Sequence, residues 1–102
     1  MNKYPLSIPT ETITAFCHRW KVTEFAIFGS ALRDDFNIQS DIDILVTFDE
    51  SVEITLLDLA QMQIELERLF DRPVDLVEKA ALRNPYRRKA ILSSSQVLYA
   101  DQ

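Results

Sequence analysis

The residues of this chain best suited to chemistry are a glycine, a serine and two aspartates at fixed spacing. Gly29 is the only glycine among the 102 residues, and with Ser30 it follows a hydrophobic run. A glycine in that place suits a sharp turn, or a close approach of the backbone to a ligand. Backbone N–H groups exposed in such a turn can cradle phosphate, and the Ser30 hydroxyl adds a donor.

Two carboxylates come next, after ten intervening residues, and they predict a cation site. Asp41 and Asp43 open a second hydrophobic run. In a strand, residues two apart face the same side, so these carboxylates lie about 6.6 Å apart along one face. Two like charges repel unless a cation lies between them. Mg²⁺ would bridge them to phosphates, and two ions could share the pair. The whole pattern therefore predicts metal-dependent nucleotide chemistry.

Asp75 is the best candidate for a third carboxylate, because it interrupts the short apolar run 74–77. A carboxylate among buried neighbours costs free energy and calls for a reason. One interpretation is that Asp75 completes the site. The alternative is a residue of an edge strand that faces water.

Hydrophobic periodicity predicts the elements that position these residues. Apolar residues at helical spacing predict a first helix whose buried face is Ile13, Phe16, Cys17 and Trp20. Runs rich in β-branched and aromatic residues predict strands over 22–28, 41–48 and 74–77. Further helices are predicted over 55–70 and 84–92, with a short one at 30–32 and a loop at 33–39. Residues 96–99 form either a last strand or an extended tail.

The longest predicted helix, 55–70, has a broad apolar stripe made by Leu56, Leu59, Met62 or Gln63, Leu66, Leu69 and Phe70. Few strands and several helices favour an α/β or α+β fold, with one sheet covered by helices. A length of 102 residues fits a single domain, 1–102. The order and direction of the strands stay open at this point.

Composition narrows the class of partner. A net charge of −5 argues against general nucleic-acid or anionic-membrane binding, which needs a basic face. One cysteine excludes an internal disulfide, and one histidine leaves no Cys/His zinc set. We find no signal peptide and no membrane-spanning run, so the cytoplasm is expected. Residues 79–89 contain five basic and no acidic residues. They form a solvated helix face, a docking face for an acidic partner, or a support for nucleotide phosphates.

The spacing Gly29-Ser30-x10-Asp41-x-Asp43 resembles the signature of the polymerase-β-like nucleotidyltransferase superfamily. The chain as a whole resembles the minimal nucleotidyltransferase (MNT) antitoxins, which are encoded beside a HEPN-domain toxin. The resemblance implies a small mixed β-sheet flanked by helices. It also implies ATP, Mg²⁺ and transfer of AMP to an acceptor hydroxyl.

The same resemblance assigns roles residue by residue. Gly29 and Ser30 carry over as triphosphate binders, while Asp41 and Asp43 carry over as metal ligands. Asp75 becomes the third catalytic carboxylate, which ligates a metal or accepts the proton of the attacking hydroxyl. Family members often have a basic residue followed by a second glycine after the serine. Here Arg33 stands in the basic position as a further nucleotide-binding residue, but an aspartate follows it.

The resemblance leads to a specific function and leaves rivals to it. Larger nucleotidyltransferases add a helical domain for the acceptor, whereas only 27 residues follow Asp75 here. The acceptor is therefore expected to be a protein partner, namely a tyrosine of a HEPN ribonuclease toxin. One rival is an antitoxin that neutralises its toxin by binding alone. Another is a nucleotidyltransferase of a small molecule or an RNA end, and a structural domain with a coincidental motif comes last.

Overall fold

The computed structural model describes residues 10–28 and 41–101. Within them lie three helices and four strands, in the order α1 (Thr10–Trp20), β1 (Val22–Phe28), β2 (Ile42–Phe48), α2 (Leu56–Phe70), β3 (Val74–Glu78), α3 (Pro85–Ser94) and β4 (Gln96–Ala100). A short 3₁₀ turn, Lys79–Ala81, links β3 to the segment before α3. Residues 96–99, left open between strand and tail, belong to a strand. The predicted short helix at 30–32 and the loop at 33–39 lie outside the described residues.

The four strands form one mixed sheet in the order β3-β2-β1-β4. β1 pairs antiparallel with both β2 and β4, whereas β2 and β3 run parallel and are joined through α2. A parallel pair needs such a crossover, because a tight turn cannot return the chain to the same end of the sheet. The predicted small mixed sheet flanked by helices is confirmed.

One face of the sheet carries most of the core. Alternation along β2 directs Ile42, Ile44 and Val46 to this face, and all three are buried. They pack against the buried faces of α1 and α2, so that the cluster also holds Ile13, Phe16, Cys17, Val22, Phe25, Ile27, Met62, Leu66, Phe70 and Val74. Phe48, next in the same alternation, is only partly buried against this cluster because it lies at the end of the strand. We call this side of the sheet the large face.

The opposite face has a smaller cover. Its buried residues are Ala26, Phe28, Leu45, Leu82 and Ile91, and they form a separate cluster beneath α3. Only one residue of α3, Ile91, is buried. We call this side the small face. The odd-numbered residues of β2 lie on it, including Asp43.

Helix α2 begins and ends with clear local signals. Thr55 is its N-cap, not its first residue: the Thr55 hydroxyl accepts from the Asp58 N–H, while the Asp58 carboxylate accepts from the Thr55 N–H. At the other end Asp71 adopts the left-handed conformation (φ 56°, ψ 42°), and Pro73 follows. The predicted place of Leu56 in the buried stripe is wrong. Leu56 is 85% exposed, because the first turn of α2 extends past the edge of the core.

Cys17 lies fully inside the large face, as its position on the buried face of α1 predicts. Burial disfavours the thiolate and raises the pKa of Cys17 to about 12. His18, one residue further, lies off that face and is exposed. Among the described residues, no helix is long and apolar enough to cross a membrane.

Candidate active site

Asp43 lies where three strands come together at one edge of the sheet. It follows the first residue of β2 and pairs antiparallel with Phe28, the last residue of β1. On its other side it stands in register with Asp75 of the parallel strand β3. We call this end of the sheet the catalytic edge, because it gathers the residues that the sequence predicts to do chemistry.

The parallel register places two of the predicted carboxylates side by side. Neighbouring strands are about 4.8 Å apart, and residues in register face the same side of the sheet. Asp43 and Asp75 therefore both lie on the small face. Asp75 is exposed and β3 is an edge strand, as the water-facing interpretation requires. The same position also sets Asp75 next to Asp43, so the two interpretations are compatible.

Asp41 immediately precedes β2 and is exposed, whereas Asp43 is half-buried. Exposure increases toward the end of the strand, because no described element covers it there. The next residue, Ile42, donates its N–H to the Pro73 carbonyl (3.0 Å), which joins the start of β2 to the segment before β3. The backbone around the carboxylates is therefore fixed at the catalytic edge.

The other predicted site residues, Gly29, Ser30 and Arg33, lie outside the described residues. In sequence Gly29 follows Phe28, which the sheet places beside Asp43. The strand that leads to Gly29 therefore ends beside Asp43, as the predicted site requires. The assignment of Gly29, Ser30 and Arg33 to the nucleotide stays a prediction.

The carboxylates suit a Mg²⁺ ion that is also bound by nucleotide phosphates better than one held by protein ligands alone. Within residues 10–28 and 41–101, no three His, Cys, Asp or Glu side chains are grouped to hold a metal ion by themselves. Mg²⁺ commonly takes one or two carboxylates, and completes its octahedron with waters and substrate phosphates. Asp41 and Asp43 supply the hard oxygen ligands that such an ion prefers. The donor chemistry thus fits a metal bound together with a nucleotide.

Glu67 is a positioning residue that the sequence analysis missed. Its carboxylate accepts from the Val74 N–H (3.0 Å), and so ties the first residue of β3 to helix α2. Val74 pairs with Ile42, one residue before Asp43, so this bond holds β3 in the register that sets Asp75 beside Asp43. Nothing in the local sequence signals it, because the contact spans the turn after α2.

The basic stretch 79–89 is only partly used inside the protein. The Lys79 ammonium pairs with the Glu24 carboxylate (3.4 Å), and the Arg88 guanidinium donates to the Lys79 carbonyl (3.3 Å). Glu24 lies four residues before Phe28 on β1, or about 13 Å from the catalytic edge at strand spacing. Lys79 is therefore too far from Asp43 to support a nucleotide bound there.

At that far end the carboxylate chemistry differs. Asp49, just after β2, accepts hydrogen bonds from the Ser51 N–H (2.8 Å) and the Ser51 hydroxyl (2.7 Å). These bonds favour the charged form and lower the pKa of Asp49. The Asp49 carboxylate is thus occupied in capping a turn. Asp49 therefore has a local structural role, whereas Asp41 and Asp43 at the other end of β2 stay candidates for the site.

Known proteins match most of the chain. The family model described as a nucleotidyltransferase domain matches residues 10–98. A provisionally named protein adenylyltransferase of Methanocaldococcus jannaschii is 37% identical over 73 residues, which cover 72% of this chain and 73% of that protein. Protein adenylyltransferase MntA of Thermococcus cleftensis is 39% identical over 66 residues, which cover 65% of each chain.

Among solved structures, the fold is similar to a chain in a complex of a tri-AMPylated Shewanella oneidensis HEPN toxin with its MNT antitoxin. The TM-score is 0.64, and the match covers 91% of this chain and 71% of that one. The identity of 19% makes this a likeness of fold alone.

Proposed function

The chain belongs to the nucleotidyltransferase domain family, and from this premise we propose that it is an antitoxin with protein adenylyltransferase activity. As a single domain it transfers AMP from ATP to a tyrosine of a HEPN ribonuclease toxin. The observation that carries the proposal is the parallel register of β2 and β3. It sets Asp43 and Asp75 side by side at the catalytic edge, next to the end of β1.

Each residue has a role in this reaction. Gly29 and Ser30 hold the triphosphate through backbone and hydroxyl donors, with Arg33 as an additional cation. Asp41 and Asp43 would hold Mg²⁺ beside the same phosphates. When bound, Mg²⁺ supplies charge neutralisation at the α-phosphate and the leaving pyrophosphate. Nucleotidyl transfer consists mainly of positioning and charge neutralisation, so the chain needs no catalytic histidine.

Asp75 completes the transfer step. The tyrosine oxygen forms a bond to the α-phosphorus while the bond between the α- and β-phosphates breaks and releases pyrophosphate. The hydroxyl proton passes to the Asp75 carboxylate. Its exposure on the edge strand leaves the carboxylate accessible to a hydroxyl that another protein brings to the site.

Binding without catalysis is the main alternative. Asp43 and Asp75 lie in register, and two carboxylates so placed repel each other unless a cation balances them. A protein that only binds its toxin gains nothing from this repulsion. A catalytic role gives the repulsion a purpose, because a cation and a phosphate held there relieve it.

A substoichiometric transfer assay tests the proposal. One part of the protein is incubated with about twenty parts of purified cognate HEPN toxin, ATP and Mg²⁺. We expect the toxin to gain about 329 Da per transferred AMP, as nucleotidyl transfer requires, and to lose ribonuclease activity. The double variant Asp41→Asn/Asp43→Asn should add no mass and should fail to protect cells that express the toxin.

The matched control is Asp101→Asn, which removes an exposed carboxylate beyond the far end of the same sheet. It should transfer AMP like the wild type. If the double variant protects cells as well as the wild type, and the wild type adds no mass, binding alone explains the antitoxin.

A further inference from the structure

The first turn of α3 presents an aromatic side chain among exposed cations. Tyr86 is 86% exposed, and Arg83, Arg87 and Lys89, which lie within three positions of it in the sequence, are also exposed. We call these four residues the α3 tip. Asn84 caps the helix by accepting from the N–H groups of Tyr86 (2.9 Å) and Arg87 (3.1 Å). The backbone of the tip is therefore held rigidly.

The cations of the tip serve nothing within the described protein. Two basic residues of the stretch 79–89, Lys79 and Arg88, are used in internal contacts. Within residues 10–28 and 41–101, by contrast, the side chains of Arg83, Arg87 and Lys89 form no ion pair or hydrogen bond. They stand on a protein whose net charge is −5, so the tip is a local positive patch on an acidic molecule.

The helix itself does not favour this charge. The N-terminus of a helix carries a partial positive charge, which favours acidic side chains in the first turn and disfavours basic ones. The first turn of α3 has no acidic residue, and it contains Arg87. Stability therefore does not explain the basic tip, whereas recognition of an anionic molecule does.

The place of the tip in the fold excludes the nucleotide as that anion. The strand after α3 begins at Gln96, which pairs with Ile27 next to the catalytic edge. The C-terminal end of α3 thus leads toward that edge, and its ten residues span about 15 Å. The tip lies at the other end, on the side of Lys79 and Glu24. It is a remote surface on the same face as the carboxylates.

We propose that the α3 tip docks an acidic surface patch of the protein that receives AMP. This inference rests on the proposed function, and it adds where the acceptor protein is held. Tyrosine and arginine are the residues most enriched in protein-interface hot spots, and the tip combines them. Three cations would neutralise only about three phosphates, which is little for an RNA partner held by an acidic protein. A partner lying along α3 would extend from the tip to the catalytic edge.

Steady-state transfer kinetics with the purified toxin test this surface. Arg87→Glu and Tyr86→Ala should each raise KM for the toxin by about tenfold or more, the effect of losing a hot-spot residue. Both should leave kcat and KM for ATP within about twofold of the wild type. Raising the salt concentration should weaken wild-type toxin binding, and should affect Arg87→Glu less.

The matched control is Arg68→Glu, an equal change of charge at an exposed arginine on α2. It should leave KM for the toxin unchanged. Unfolding cannot account for a loss in Arg87→Glu, because a carboxylate in the first turn favours the helix. Urea unfolding of each variant confirms this separately.

Two results would overturn the docking surface. In one, the wild type adds AMP to the toxin and Arg87→Glu has the wild-type KM; the proposed function then stands without the tip. In the other, a fluorescent single-stranded RNA binds the wild type and is lost in Arg87→Glu while toxin binding is unchanged. If the wild type modifies no toxin at all, the proposed function fails first, and direct toxin binding by Arg87→Glu still decides the surface.

Discussion

The two faces of the sheet differ in the helices that cover them and in the residues that β2 contributes to them. The large face is covered by α1 and α2, and along β2 it is apolar at Ile42, Ile44 and Val46. Among the described elements, the small face is covered by α3 and by Leu82 just before it, and along β2 it changes from Asp43 to Leu45. The same strand therefore contributes to the core on one side and to the candidate site on the other.

This division shows how a short chain can hold repelling carboxylates. Like charges in register cost free energy, and burial on the opposite face offsets that cost. Because the side-chain period of a strand is two, a slip of one residue would exchange the two faces of β2. The apolar residues that fill the large face thus also fix Asp43 on the small one.

Truncation on the two faces should give the largest contrast in stability. Leu66→Ala, deep in the large face, should cost about 3–5 kcal/mol of unfolding free energy, and Ile91→Ala under α3 about 2 kcal/mol. The difference arises because the large face cannot relax around a cavity, whereas α3 buries a single residue. Urea unfolding followed by circular dichroism measures both. Equal costs would show that the small face is as tightly packed as the large one.

Asp75→Asn should separate catalysis from binding at the small face. Asp41 and Asp43 still hold the metal and the triphosphate, so ATP affinity should change by less than about threefold. The attacking hydroxyl loses its proton acceptor, so kcat should fall about 10²–10⁴-fold, the usual contribution of a general base. Calorimetric titration with ATP and Mg²⁺, run beside the transfer assay, measures the two effects. A variant that binds ATP poorly and turns over normally at saturation would assign Asp75 to the nucleotide.

Asp43→Asn should have the smallest effect on stability, and the direction of that effect shows whether the two carboxylates repel each other. Without ligand, removal of one charge from the Asp43–Asp75 pair should leave the free energy of unfolding unchanged or raise it by under about 1 kcal/mol. With ATP and Mg²⁺ the wild type should be stabilised and the variant should not, because ligand binding stabilises only the folded state that binds it. Equal stabilisation by ATP and Mg²⁺ in both proteins would contradict the metal site.

Most elements could be predicted because their signals are local. Helical spacing from Ile13 to Trp20 and the strand run before Gly29 need no knowledge of neighbours. The order of the strands could not be predicted, because the pairing of β4 with β1 depends on contacts far apart in sequence. The misplaced Leu56 has the same origin: periodicity shows which side of a helix is apolar, but not where its cover ends.

The candidate site was predictable in type and less so in geometry. The spacing of Gly29, Ser30, Asp41 and Asp43 led to the family, and the family match confirms that resemblance. Asp75 was predicted as the third carboxylate, but its register directly beside Asp43 could not be, since that register depends on α2 and on the bond from Val74 to Glu67. The carboxylates can be recognised from their spacing in the sequence, whereas the contact between Glu67 and Val74 that positions them cannot.

The single thiol of the chain, Cys17, can report on opening of the large face. Cys17 is fully enclosed, and its raised pKa keeps it protonated at neutral pH, so an alkylating reagent cannot modify it until α1 moves away. The rate of modification then increases with the population of molecules in which the hydrophobic interior is open. The rate of Cys17 alkylation, measured with and without nucleotide, would show whether binding at the catalytic edge makes opening of the large face rarer.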